Sequence, residues 1–462
     1  MTDLHVDALV IGSGQGGTPL ASALARAGRR TVLIERRHIG GTCVNEGCTP
    51  SKTMVASARV AYLAKRAADF GVHCGDVTVD MSSVIARKRA IVSDFRNGSE
   101  RRLADAGVEV LFGDARFAGE RRVEVRASDG TTRTLIAPTI IINTGARPGR
   151  PPLTGLDQIS ALDSTSIMEL DEVPQHLLVL GGGYVGVEFA QMFRRFGSRV
   201  TIVSDGAQLL GHEDEDVAAA VASILRQDGI DIVLDARATA VARAPNGIAL
   251  TVDDRDGERR IAATHLLLAT GRVPNTDTLA PAAAGIALDG RGYIKVDDRL
   301  ATSATGVFAV GDVKGGPAFT HISYDDFRVL RANLLEGGSA TITGRLVPYV
   351  VFIDPQLGGV GLTEREARAE GRRIAVATMP MSHVARALET AEPRGLMKAI
   401  VDRDTHKILG CAVLGIEGGE VMSMLQLAIM GGLSYTELRD AVFAHPTLAE
   451  SLNNLFSALT PV

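Results

Sequence analysis

The sequence predicts an α/β protein with two Rossmann-like units and a separate C-terminal α+β domain. Three observations carry this. Two segments share one strand–glycine turn–helix–strand pattern, paired strand–glycine stretches frame the second of them, and the composition turns strand-rich from roughly residue 345.

The first of the two segments is HVDALVIGSGQGGTPLASALARAGRRTVLIE (5–35). An apolar run rich in Val, Ile and Leu ends at glycines, after which small and apolar residues recur at helical spacing. Gly12, Gly14 and Gly17 form G-x-G-x-x-G. The first two allow a tight turn and close backbone approach to a pyrophosphate. The third lets helix and strand pack closely, with the helix N-terminus facing the phosphates. Glu35 ends the next strand, where a carboxylate binds an adenosine ribose hydroxyl pair. Glycines that serve only a turn are the alternative, and the flanking strand, helix and carboxylate weigh against it.

QHLLVLGGGYVGVEFAQMFRRFGSRVTIVS (175–204) repeats the pattern with Gly181, Gly183 and Gly186, so the chain holds two candidate dinucleotide sites. The strand after these glycines is read as ending in Ser204 and Asp205, with no Arg or Lys through Glu215. A 2′-phosphate would want a basic partner there, whereas Asp205 could accept hydrogen bonds from free ribose hydroxyls. NADH is therefore favoured over NADPH.

Between the two units, VEVLFGDARF and RTLIAPTIIINTGARPG read as strands, and Pro148 to Gly155 as a linker. HLLLATGRVPN (265–275) is placed like INTGARP (142–148) and marks the return crossing. GVFAVGDV (306–313) and a helix near 321–336 follow. The predicted domains are a first dinucleotide domain in two parts, 1–148 and 273–344, a second at 149–272, and the α+β domain at 345–462.

A chain of 462 residues has room for two to four such domains. Its 45% hydrophobic and 22% charged residues suit a soluble globular protein. The formal net charge of −5 argues against nucleic acid or anionic membrane as partner. The start, MTDLHVDALVIGSG, lacks the basic region of a signal peptide, and no apolar run approaches the ~20 residues of a membrane span. The cytosol is the expected location. Four cysteines in so long a chain are no secretory disulfide framework, so their chemistry is catalytic or incidental.

GGTCVNEGCTPSK (40–52) is the decisive stretch. Cys43 and Cys48 are spaced to close a small disulfide loop on one face of a helix start. A helix N-terminus and Lys52 would lower the thiol pKa and favour the exchanging thiolate. A zinc pair or buried structural cysteines are the alternatives. Zinc would need two more ligands, and neither Cys74 nor Cys411 has a paired spacing, so no metal site is predicted. Near the end, HPTLAE (445–450) places Glu450 where it can orient the His445 imidazole, a pair suited to acid–base work near neutral pH. Taken alone, His445 reads as a capping or core histidine.

The cysteine stretch resembles the active-site signature of the pyridine nucleotide–disulfide oxidoreductases, which include dihydrolipoamide dehydrogenase, glutathione reductase and mercuric reductase. The likeness recurs at GGGYVGVEFA (181–190), ATGRVPN (269–275), GVFAVGDV (306–313) and HPTLAE, in family-like order over essentially the whole chain. It implies FAD in the first dinucleotide domain, a nicotinamide cofactor in the second, and a C-terminal dimerisation domain. Cys43 resembles the interchange thiol that meets the substrate, and Cys48 the thiol that lies against the flavin and forms the charge-transfer complex. Lys52 would sit near flavin N5 and pair with Glu188, otherwise a solvated helix carboxylate. Tyr184 resembles an aromatic gate over the nicotinamide pocket, with a core tyrosine the alternative. Asp312 resembles the residue that binds the ribityl hydroxyl. Segment 317–321, with Thr320, would start a helix facing the flavin pyrimidine. The same resemblance extends cofactor contacts to Thr42, Ala115, Thr144, Gly145, Gly271, Arg272 and Gly311. In the family the histidine at His445 reaches the disulfide of the other subunit, which implies an obligate homodimer.

The electron acceptor is less marked. The chain ends SLNNLFSALTPV, without the C-terminal cysteine pair of the usual mercuric reductases and without an N-terminal metal-binding domain, so efficient Hg(II) reduction is not expected. Glu46 and Thr49 stand where common dihydrolipoamide dehydrogenases carry apolar residues, which bears on the redox poise of the pair. Segments 311–329 and 347–367 resemble the mercuric-reductase-like branch that includes the flavoprotein of reactive-chlorine resistance, a branch similar to enzymes that reduce metal ions such as Cu(II). The expected acceptor is a small oxidant, disulfide or metal ion. A dihydrolipoamide dehydrogenase and a redox-sensing flavoprotein are the alternatives, and an intact His445–Glu450 pair disfavours the sensor. Met379, Met381, His383, His73 and Cys74 are soft-ligand types, but Met379 and Met381 read as one face of a buried strand. Met422, Met424 and Met430 read as helix packing, and Cys411 as a buried strand thiol.

Overall fold

A computed structural model describes residues 3–461, so Met1, Thr2 and Val462, counted in the first and last predicted domains, lie outside the described residues. The chain forms two compact units. The first comprises residues up to Thr53, Ile85–Gly149 and Gly271–Arg345; the second comprises Met54–Val84, Arg150–Thr270 and residues from Leu346 on.

The first unit is built on a five-stranded parallel sheet in the order Val307–Ala309, Thr139–Ile142, Ala8–Ile11, Thr31–Glu35, Glu109–Phe112. The stretches ALVI, TVLIE and TIII are nearly all buried, as strands covered on both faces must be. Helix Gly17–Arg26 packs against helix Thr320–Leu335 through Leu20, Leu24, Phe327 and Leu330. Burying each such side chain contributes ~1.5–3 kcal/mol. A second sheet, Leu4–His5, Thr132–Ile136, Arg122–Arg126, Asp114–Gly119, adjoins the first within this unit. A two-stranded antiparallel ribbon, Ala146–Pro148 with Arg272–Pro274, stands where the chain leaves and returns.

The second unit contains a four-stranded parallel sheet ordered Ile230–Val233, Arg199–Val203, His176–Leu180, His265–Leu268. Three antiparallel strands, Arg237–Ala244, Gly247–Asp254 and Gly257–Ala263, form a further sheet. The last part of the chain makes a six-stranded antiparallel sheet, Tyr349–Val351, Gln356–Gly361, Ile408–Gly415, Leu396–Asp402, Ile374–Pro380, Thr460–Pro461. Helices Gly418–Gly431 and Ser451–Ser457 pack on it. Among the described residues no helix is long and apolar enough to cross a membrane.

Several local expectations change. The strand before Asp205 ends at Val203, because Ser204 turns its backbone to Val233 and Ala236. The stretch Pro148–Gly155 is only in part a linker: Pro148 is paired with Arg272, and Thr154 bridges Ala240. Met379 and Met381 are both buried, but Pro380 closes the strand and Met381 opens a 3₁₀ turn, so they do not share a strand face. Met422 packs inside, whereas Met430 is 65% exposed beside Leu427 at 67%, so one face of that helix is apolar and open in the single chain.

Candidate active site

In the first unit the strand Ala8–Ile11 delivers its chain directly into the glycine turn. A Cβ on Gly17 would lie 2.2 Å from the Gly12 carbonyl oxygen, so only glycine lets the helix start this close to the turn. The Gly17 N–H donates to Asn143 Oδ1 at 2.8 Å, and Asn143 Nδ2 donates to the Val310 carbonyl at 3.0 Å. Asn143 thereby ties the glycine turn to the segment that leads into Gly311 and Asp312.

Glu35 ends its strand with both carboxylate oxygens held: the Ser13 hydroxyl and N–H donate to one at 2.6 and 3.1 Å, and the Arg37 N–H to the other at 2.9 Å. The oxygen that takes the Arg37 N–H retains a lone pair for a ribose hydroxyl. The Gly113 N–H donates to the Glu35 carbonyl at 2.9 Å, which places Ala115, two residues on, at the same end of the unit. Thr144 and Gly145 are locked to Asn275 by three hydrogen bonds of 2.8–3.0 Å. Gly271 lies at φ +117°, and the following Arg272 donates to the Ala146 carbonyl.

Three observations fit these residues to FAD. The glycine turn has no room for side chains, the Glu35 carboxylate is presented for hydroxyls, and the buried Arg272 Nε meets no acceptor among the described residues. Burial pushes the Asp312 carboxyl up, against the pull of Arg272 and Lys314, in keeping with a group that binds hydroxyls out of water. Behind it, the fully buried Asp326 takes the Gly311 N–H at 2.8 Å, Lys314 at 3.3 Å and Arg345 at 2.7 Å, and so holds the Gly311–Asp312 turn. Glu35→Ala should weaken FAD binding to the apoprotein by about 10–100-fold, since hydrogen bonds to a charged acceptor contribute ~1.5–3 kcal/mol each. Titration of apoprotein with FAD by flavin fluorescence measures this, and an unchanged affinity would remove Glu35 from the site.

The cysteines do not share one helix start as expected. Cys43 lies in the short helix Gly41–Asn45, and Cys48 opens a second helix, Cys48–Lys65. Gly41, at φ +64°, is pressed so close to the first glycine turn that a Cβ would sit 2.5 Å from Gly14 Cα. The cysteine loop is therefore packed on the dinucleotide turn, with Thr42 exposed between them. Asn45 Nδ2 donates to the Ile39 and Gly41 carbonyls at 3.0 Å, and Arg96 braces Asn45 Oδ1 at 2.9 Å.

Cys43 is half-buried and Cys48 exposed. The Cys48 sulfur and the Thr320 hydroxyl are 3.4 Å apart, so helix Thr320–Leu335 starts against the sulfur pair. The Cys43 thiol is pushed up, first by its hydrogen bond with Cys48, then by burial and the Cys48 charge, while Thr320 and Lys52 pull it down. The net direction is the reverse of that expected from Lys52 and a helix end. Once one of two neighbouring sulfurs is a thiolate, its charge and hydrogen bond hold the proton on the other. Glu46 does not stand alone beside the sulfurs, because Arg37 lies 3.4 Å from it.

In the second unit, Gly181 and Gly186 repeat the close approach: a Cβ on Gly186 would lie 2.1 Å from the Gly181 carbonyl. Gly183 precedes helix Tyr184–Phe196, and Tyr184 is its first residue. Glu188, one turn on, is buried and accepts the Phe352 N–H at 2.7 Å, so it is not a solvated helix carboxylate. Lys52, its expected partner, belongs to the first unit. Asp205 is exposed beyond the strand end. Arg255 comes near this loop from the antiparallel hairpin, but it pairs with Asp235, whose N–H donates to the Gly206 carbonyl at 3.0 Å.

His445 Nδ1 lies 2.8 and 3.1 Å from the two oxygens of Glu450, and the imidazole is 69% exposed. A carboxylate on Nδ1 sets the tautomer and leaves Nε2 to exchange protons outward. Asn453 Nδ2 donates to the Leu438, Arg439 and Ala441 carbonyls at 2.8–2.9 Å, which fixes the loop ahead of His445.

Residues 6–326 match the pyridine nucleotide-disulphide oxidoreductase family, and residues 347–456 match the dimerisation domain of that family. The chain belongs to this family. It is an NAD(P)H-dependent flavoprotein disulfide reductase with FAD as its flavin. It is 40% identical to the probable pyridine nucleotide-disulfide oxidoreductase RclA of Escherichia coli, over 97% of this chain and 98% of that one. It is 37% identical to a mercuric reductase of Streptomyces lividans, over 96% and 94%. The solved Cu(II) complex of the HOCl-induced flavoprotein disulfide reductase RclA superposes with a TM-score of 0.90 at 39% identity, covering 99% of each chain.

The disulfide reductase has further site residues that sequence reasoning missed. Asn143 carries a faint signal, since it directly precedes the Thr144–Gly145 pair in INTG. Ser13, Asp326, Lys314, Arg345 and Asn453 carry none, because each acts on a segment distant in sequence. Of the metal-ligand types, His73, Cys74 and His383 are exposed and Cys411 is buried in its strand, where burial pushes its thiol up to about 12. Among the described residues no group of three His, Cys, Asp or Glu is arranged to hold a metal ion.

Proposed function

We propose that this reductase takes electrons from NADH, stores them in the Cys43–Cys48 pair and delivers them to a small oxidant or metal ion, as a member of the RclA-like branch. In this reading residues 1–148 and 273–344 hold FAD, 149–272 hold the nicotinamide cofactor, and 345–462 form the dimer contact. FAD, when bound, supplies the two-electron relay between nicotinamide and disulfide. Cys48 faces the flavin, Cys43 meets the acceptor, and Thr320 orients the pair. The observation that carries the acceptor is the likeness to RclA over nearly the full length of both chains, including its Cu(II) complex. Steady-state NADH oxidation with Cu(II), Hg(II), lipoamide and glutathione disulfide in parallel tests it.

The enzyme works as a homodimer in the cytosol, with His445 serving the sulfur pair of the second subunit. Three features support the dimer. His445 is anchored at Nδ1 yet exposed, the apolar side chains of Leu427, Met430 and Val442 stand open, and the dimerisation domain is matched. The coenzyme preference follows from Asp205 and from an Arg255 that Asp235 neutralises. kcat/KM with NADH should exceed that with NADPH, because a 2′-phosphate would meet the Asp205 carboxylate without a basic partner to spare. Equal or better use of NADPH would show that Arg255 turns from Asp235 to the phosphate.

A further inference from the structure

Three groups from separate parts of the second unit meet beside the second glycine turn. Tyr184 opens the helix that follows Gly181–Gly183. Its ring stacks on that of Tyr349, with centroids 5.7 Å apart and planes 14° from parallel. Both phenols aim at one carboxylate: the Tyr349 hydroxyl donates to Glu213 Oε2 at 2.8 Å, and the Tyr184 hydroxyl is 3.5 Å from Oε1. Glu213 is 1% exposed, and its backbone is pinned by its N–H to the Leu210 carbonyl and by Gln208 Nε2 to its own carbonyl.

We propose that Glu213, acting through Tyr349, is a positioning residue that fixes the Tyr184 ring at the wall of the nicotinamide-dinucleotide site, so that its charge state sets how tightly that cofactor is held. This rests on the reading of the second glycine turn as the nicotinamide site. A residue at the first position after such a turn borders the bound dinucleotide. Tyrosine has two side-chain torsions, and a stack on one face with a bond at the tip restrains both. A buried carboxylate is costly to keep unless its oxygens are hydrogen-bonded, and here the donors identified are the two phenols.

The surroundings make this restraint sensitive to pH. Burial pushes the Glu213 carboxyl up to about 7, with Asp214 and Glu366 adding to the rise and the two tyrosine hydroxyls opposing it. The other charged or titratable groups close by are Lys398, 3.1 Å from Asp214 and engaged also with Asp216 and Glu364, Arg365, whose guanidinium donates to the Gly211 and His212 carbonyls at 3.2 and 2.9 Å, and the exposed His212 next in the chain. Both phenols are pushed up, first by their own burial, so they stay protonated donors throughout. The Cys411 thiol, which faces Tyr349, also stays protonated. Above neutrality the ionised Glu213 accepts from both phenols; below it, the protonated carboxyl is a weaker acceptor and the tether slackens.

The test is the reductive half-reaction of the FAD-loaded enzyme, followed as flavin reduction by NADH in anaerobic stopped flow from pH 6 to 8. The wild type should show an NADH dissociation constant that falls severalfold as pH rises through neutrality, with little change in limiting rate. Glu213→Gln, which keeps an acceptor for Tyr349 and cannot ionise, should flatten that dependence. Glu213→Ala should raise the constant by about tenfold at pH 8, the equivalent of one charge-assisted hydrogen bond. Tyr349→Phe should reproduce most of that rise while keeping the ring stack. Adenosine, which lacks the pyrophosphate and the nicotinamide half, is the control, and its affinity should be the same in all four proteins. A wild-type profile retained in Glu213→Gln, or an unchanged constant in Glu213→Ala, overturns the proposal. Equal losses for adenosine overturn it too, by showing general disruption. A wild type that binds neither NADH nor adenosine instead overturns the reading of the glycine turn, and the proposal with it.

Discussion

On two-electron reduction, Cys43→Ser should retain a long-wavelength charge-transfer band and Cys48→Ser should lose it. Hydrogen bonding to Cys48, burial and the Cys48 charge all push the Cys43 thiol up, and on the proposed roles the reduced pair carries its proton on Cys43 and its negative charge on Cys48. A thiolate is the donor such a band needs. Thr320, 3.4 Å from Cys48, has its hydroxyl available to that charge. Either substitution should lower turnover of disulfide substrates by on the order of 10³-fold or more, as expected when a covalent nucleophile is removed. Anaerobic titration with dithionite, read as visible spectra of the two variants, decides the roles. A band that survives in Cys48→Ser and vanishes in Cys43→Ser reverses them.

The second large effect is expected at His445. A Cys43 thiol held protonated cannot attack or leave as thiolate without a base, and a released thiol must receive a proton. On the role proposed for it, His445, with Nδ1 held by Glu450 and Nε2 outward, would supply both. His445→Ala should lower turnover of lipoamide or glutathione disulfide by roughly 10²-fold or more. Electron transfer to a metal ion needs a thiolate or flavin as donor and no proton for a leaving thiol, so Cu(II)-dependent NADH oxidation should fall much less. The two activities, measured on one preparation of the variant, separate the cases. A wild type that turns over lipoamide far faster than any metal or oxidant would reassign the enzyme as a dihydrolipoamide dehydrogenase.

Where groups meet as neighbours along the chain, the sequence was enough to bring them together. The two glycine turns, Glu35 closing its strand, the Cys43–Cys48 loop and the His445–Glu450 pair all lie within short stretches, where residue type and spacing bring the groups near one another, although the two cysteines sit on two helices rather than one. The same holds for the parallel strands, whose continuous Val, Ile and Leu runs demand cover on both faces. Family membership followed from the order of those stretches.

What folding alone decided concerns groups that meet from far apart. Asn143 joins the Gly17 turn to Val310, and Asp326 gathers Gly311, Lys314 and Arg345. Glu213 collects Tyr184 and Tyr349, and Arg255 is spent on Asp235. The direction of the Cys43 shift is a packing effect over a shorter range: Lys52 predicted a fall, and the contact with the Cys48 sulfur, together with burial, imposes a rise. The physical reason is common to all: hydrogen bonds and buried charges draw their energy from desolvation and close contact, which exist only once the chain is packed. A sequence states which groups a chain carries, and packing states which of them are out of water and in reach of one another.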